Sequence, residues 1–164
     1  MTLLEICQQL EATRLAEWVT QSEWGFRIMA GTHLMGLGLS VGTIVWMDLR
    51  LLGKTMRTCP VSEVYRRLAP WMLFGFAVMM ISGVVLFVSY ATAAYENTFF
   101  AIKLGAILIA GVNAGIYHFV IERQIAQWDT APRPPLAARM TGLISIGAWT
   151  VVVLAGRAMS YTMF

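Results

Sequence analysis

Apolar residues gather along the chain into four runs of about the length a bilayer demands of a helix, and the short stretches between them hold most of the charge. The runs cover about residues 25–47 (GFRIMAGTHLMGLGLSVGTIVWM), 71–90 (WMLFGFAVMMISGVVLFVSY), 99–121 (FFAIKLGAILIAGVNAGIYHFVI) and 140–161 (MTGLISIGAWTVVVLAGRAMSY). Their apolar residues are clustered rather than spaced for one buried face, so each run predicts a helix with lipid around it. Glycines inside them are ordinary for membrane helices, where small residues permit close packing. Short connections make neighbouring helices antiparallel. The expected fold is all-α, an integral membrane four-helix antiparallel bundle over residues 25–164.

Residues 1–24 read differently. Four glutamates (Glu5, Glu11, Glu17 and Glu23) interrupt the segment, which lacks the basic-then-apolar order of a cleavable signal peptide. Leu3, Leu4, Cys7, Leu10, Leu15 and Trp18 fall on roughly one helical face. That pattern predicts an N-terminal amphipathic helix, either lying on the membrane surface or packed over the mouth of the bundle.

Composition strengthens the membrane reading. Of the 164 residues, 58% are hydrophobic and 13% are charged, too little charge to cover a soluble surface. The net charge of +3 is explained by topology. Arg50, Lys54, Arg57, Arg66 and Arg67 follow the first run, and Arg123, Arg133 and Arg139 follow the third. The opposite side holds only Arg14 and Arg27 among several glutamates. The positive-inside bias then places the basic loops in the cytoplasm and both termini outside, in the periplasm of a bacterial inner membrane. Nucleic acid is excluded as a partner, and the lipid bilayer is the expected one.

Chemistry must reside in the polar residues that the runs tolerate, since these are costly in lipid and usually face the bundle interior. No phosphate loop, paired-cysteine zinc spacing or GxSxG elbow is present. Cys7 and Cys59 fall on opposite sides and cannot pair. His33 shares a face with Gly36, Ser40, Thr43 and Met47, roughly 12 Å below the outer surface by helical rise. It either ligates a haem or metal or carries a proton, or else it hydrogen-bonds a neighbouring helix. His118 shares a face with Gly111, Ala114 and Gly115 near the inner end, within reach of Asp48, Arg50 and Trp128. The expected role there is structural, as for Asp48, Arg50 and Asn113, the last of which forms a second polar stripe with Tyr117. Lys103 and Arg157, with Tyr161 one turn beyond, lie in the outer half. They either snorkel to the interface or join His33 in a cationic pocket for an anion, a quinone head group or haem propionates. One haem cannot be clamped by both histidines, because their depths differ by roughly 15 Å. A haem b on His33 would need a second ligand such as Met29, Met159 or a residue of a partner chain.

The runs SEWGFRIMAGTHLMGLGLSVGTIVWMDLRLLG, NTFFAIKLGAILIAGVNAGIYH and GRAMSY resemble an uncharacterised bacterial family of small four-helix membrane proteins, known only as a domain of unknown function. The resemblance covers nearly the whole chain and is sharpest at DLRLLG, at Asn97, Lys103, Asn113 and His118, and at Arg157 with Tyr161. It implies the same fold and topology and a shared polar pattern that includes His33. FRIMAGT, just before His33, stands where that family carries aromatic-Pro and acidic residues.

Two functions stay open. One is a membrane subunit of a redox or respiratory assembly, more a binding protein than a stand-alone enzyme, holding haem or quinone at His33, Lys103, Arg157 and Tyr161 in its outer half. The other is a non-catalytic scaffold, assembly factor or small-solute carrier. The small-residue pairs Gly38/Gly42 and Gly111/Gly115 predict close helix packing and association into a homo-oligomer or with other membrane subunits.

Overall fold

The computed structural model of the chain describes residues 2–163. Among these, the regular structure is entirely helical. Two short helices, α1 (Leu3–Glu11) and α2 (Arg14–Gln21), precede α3 (Gly25–Leu51) and α4 (Val61–Ser89). A one-and-a-half-turn helix, α5 (Ala91–Glu96), leads into α6 (Thr98–Ile116). The latter continues as a π turn over Tyr117–Ile121 and a 3-10 segment over Glu122–Gln127, before α7 (Leu136–Met163) closes the chain. Four helices are long and apolar enough to cross a membrane, at 27, 29, 30 and 28 residues. The protein is therefore a multi-pass membrane protein.

The four long helices form two hairpins. α3 packs along α4, α6 packs along α7, and α3 against α7 joins the pairs. α4 and α6 meet through side chains at their ends. Phe87 stacks on Phe100 with ring centroids 5.4 Å apart, and Tyr65 meets the His118 ring at 5.5 Å. One apolar cluster, of Met79, Ala106, Ala110, Ala148, Trp149 and Val152, fills the middle of the bundle. A second, around Met47, Leu51, Val61, Val64, Tyr117 and Trp128, lies towards the end with the basic loops. Large apolar side chains such as Leu34, Met35, Leu108 and Phe119 point outward, as a lipid-facing surface requires.

Several expectations shift. The second long helix starts at Val61, not near residue 71, and passes through Pro70. Val61, Val64 and Leu68 recur at helical spacing and enter the second cluster, so packing holds the first turns despite Arg66 and Arg67. Those two arginines both pair with Glu63 on the helix surface. The N-terminal segment is two helices rather than one. Thr13 caps α2 through its side chain, and that break rotates the second half. Cys7, Ala16 and Val19 are consequently buried while Leu3, Leu15 and Trp18 stay exposed. α2 packs on α3 and α4, and α1 on α5. The Glu11 carboxylate accepts bonds from the Thr92 backbone N–H at 2.8 Å and hydroxyl at 3.0 Å, which caps the start of α5 from another helix. We call this the terminal end and the opposite one the basic end.

The predicted glycine seams are not where the helices touch. A Cβ on Gly38, Gly42 or Gly111 would meet nothing within 4 Å, and one on Gly115 only Phe119 at 3.9 Å. Close approach falls instead at Gly36, Gly75 and Gly142. In lipid, an outward glycine leaves no hole in a protein core, so glycine content does not mark the buried face.

Candidate functional site

Two polar sites lie within the bundle, one in each half. In the terminal half, α3 presents Gly36 and Ser40 as buried positions with His33 half-buried on the same face, which Thr43 and Met47 continue towards the basic end. The His33 ring lies against α4, where a Cβ on Gly83 would come within 3.0 Å of its Cε1. Its Nδ1 is 2.9 Å from the Met79 carbonyl oxygen and 3.2 Å from Ser82 Oγ. A carbonyl only accepts, so Nδ1 carries the proton and donates it to Met79. Ser82 in turn donates to the Val78 carbonyl at 2.6 Å. This bond fixes the tautomer and leaves the Nε2 lone pair available.

Lys103 reaches the same region from α6. It shares the inward face with Ala106, Ala110, Asn113 and Tyr117, at spacings of three and four. Its Nζ lies about where a Cβ on Gly156 of α7 would be 4.0 Å away, and its charge acts on His33.

Arg157 and Tyr161 do not join this pair. The guanidinium sits over the Tyr161 ring, 4.4 Å from its centroid, and Nη2 donates to the Tyr161 hydroxyl at 2.7 Å. Both are exposed, an arrangement that suits snorkelling at the interface. The structure thus brings together two of the four residues expected to hold a cofactor. Among the described residues no cluster of three His, Cys, Asp or Glu is arranged for a metal ion.

The basic half differs more from expectation. His118 is exposed rather than seated in a close-packed seam, with Nδ1 2.6 Å from Glu122 Oε2 and its ring edge-on to Tyr117 and Tyr65. The buried stripe of α6 is the other one, ending in Asn113 and Tyr117. Asn113 Nδ2 donates to the Thr141 carbonyl at 3.0 Å. Asp48 is buried, with Ser145 beside it. Arg50 is fully buried, and donates from Nε and Nη2 to the Cys59 carbonyl at 3.0 and 2.8 Å and from Nη2 to that of Ala131 at 3.3 Å. Asp129 caps α4 through Ser62, accepting from its backbone N–H at 2.8 Å and its hydroxyl at 2.6 Å.

Sequence reasoning missed Met79, Ser82 and Gly83 as the platform for His33. A backbone carbonyl has no sequence signature, but the lone SG pair in VMMISGVV is a polar, small interruption at the right depth. No curated protein and no solved structure matches the chain. A family model does cover residues 19–162, from α2 to the last turn of α7 and so across both polar sites: the chain belongs to DUF6644, a family of unknown function.

Proposed function

We propose that the chain is a membrane subunit of a redox assembly that binds a quinone head group between His33 and Lys103. The observation that carries this reading is the 2.9 Å contact of His33 Nδ1 with the Met79 carbonyl. It turns a histidine in lipid surroundings into an oriented base with one free lone pair. A quinone supplies two-electron, two-proton chemistry when bound. The chain's own part is to donate a hydrogen bond from Lys103 Nζ to a ring oxygen, and to accept a proton at His33 Nε2. A haem b uses the same Nε2 as an axial ligand but requires a second one, with Met29, Met159 or a partner chain as the sources. The quinone needs no such addition.

Orientation belongs to the same proposal. The basic loops face the cytoplasm of a bacterial inner membrane, which puts both termini and the His33–Lys103 site in the outer half. The open glycine faces at Gly38, Gly42 and Gly111 suit packing against another membrane chain or a second copy, in keeping with a subunit. They equally suit a scaffold without a ligand, and the optical test separates the two.

Purified protein is examined by absorbance and by extraction of co-purified quinone. A bound quinone that is lost in His33→Ala and weakened at least tenfold in Lys103→Met supports the reading. A Soret band replaces quinone by haem. Neither chromophore, with no quinone binding on titration, leaves the scaffold.

A further inference from the structure

The basic half holds a buried carboxyl that the quinone reading does not use. Asp48 of α3 is 6% exposed and Tyr117, at the start of the π turn, is 7% exposed. Neither Asp48 Oδ2 nor the Tyr117 hydroxyl has a hydrogen-bond partner among the described residues. Their surroundings are polar: Asn113, Thr141 and Ser145 are all more than nine-tenths buried. α3 and α7 approach so closely here that a Cβ on Gly142 would be 3.0 Å from the Asp48 carbonyl oxygen.

Charge compensation is missing. No basic side chain pairs with Asp48 among the described residues, where Ser145 is its polar neighbour. Arg50, two residues on, turns its guanidinium to the carbonyls of Cys59 and Ala131. An ionised carboxylate with an orphan oxygen inside a membrane bundle is costly unless something neutralises it. A bound proton does so without any other partner. The other carboxylates of this end are engaged elsewhere. Glu122 is part-exposed and holds the exposed His118, while Asp129 is committed to Ser62. The widened π turn re-registers the helix between Tyr117 inside and Glu122 outside, a feature often found where function interrupts a regular helix.

We propose that Asp48 is a buried proton-binding site in the basic half of the bundle. In the loaded state the carboxylate has taken one proton to become a carboxylic acid. In the unloaded state that proton has been released to solvent. The inference does not depend on what binds at His33.

Infrared difference spectroscopy across pH tests it on the intact protein in lipid nanodiscs. The chain has two aspartates, Asp48 and Asp129, so carboxyl-13C aspartate isolates their signal without any mutation. The expected result is one titrating carboxylic-acid C=O band that shifts with the label and is absent in Asp48→Asn. A band that is missing at every pH, ignores the label, or survives in Asp48→Asn overturns the proposal. So does a midpoint that follows sodium or potassium concentration, because the occupant is then a metal cation. Asp48→Asn binding quinone as the wild type does leaves the His33 reading untouched and separates the two sites.

Discussion

Gly36 and Gly75 face each other across the α3–α4 crossing so closely that a Cβ on Gly36 would stand 2.9 Å from the Gly75 carbonyl oxygen, and one on Gly75 3.0 Å from that of Gly36. The obstacle in each direction is backbone, which cannot swing away. Gly36→Ala should therefore cost about 1–3 kcal/mol by overpacking. Gly38→Ala, two residues away on the open face, should be neutral or stabilise slightly, since alanine is the better helix former. Unfolding of both variants in mixed detergent checks the contrast. Equal stabilities would mean that the two helices do not cross at these residues.

Cys59 offers a direct reading of topology. It is exposed in the loop between α3 and α4, whereas Cys7 is buried beneath the N-terminal helices. An impermeant thiol reagent should spare Cys59 in intact cells and modify it in inverted membrane vesicles. Labelling in intact cells would reverse the orientation.

His118 touches Glu122 and two tyrosine rings at a partly exposed position. An exposed i,i+4 pair is worth little. His118→Gln should lower stability by less than about 1 kcal/mol and leave quinone binding unchanged. Loss of the ligand in a folded His118→Gln protein would move the site to the basic half.

Arg157 and Tyr161 satisfy each other at the surface. Arg157→Met should bind quinone as the wild type does, in contrast to Lys103→Met, although both remove one cation from the same half of the bundle. Comparable losses in the two variants would return the arginine to the pocket.

The four spans were legible in the sequence because hydropathy over some twenty residues is a sum, insensitive to any single position. Helix beginnings were less so. The apolar spacing of Val61, Val64 and Leu68 was present but hidden among Glu63, Arg66 and Arg67, and only the cluster they enter keeps that segment helical. The inward face of α3 was readable from His33, Gly36 and Ser40, where a histidine, a glycine and a serine coincide at helical spacing. On α6 the same logic chose the wrong stripe. Gly111, Ala114 and His118 resembled a packing seam, yet Asn113 and Tyr117 are the buried ones. Lys103 and Tyr117 are each seven residues from Ala110 on one face, and that alignment becomes meaningful once α7 is known to lie against it. The partner of His33 is a main-chain oxygen, which no residue type announces.

Arg50 has a consequence for how the protein is made. Its guanidinium ties the Cys59 carbonyl, from the loop of the first hairpin, to the Ala131 carbonyl, from the loop of the second. While the ribosome has delivered only α3 and α4, half of those acceptors do not yet exist. The first hairpin therefore enters the bilayer with an arginine incompletely satisfied, and arrival of the second hairpin adds the Ala131 acceptor. Biogenesis is thereby made sequential and hard to leave half finished. A chain truncated before α6 should be a substrate for membrane quality control rather than a stable two-helix fragment.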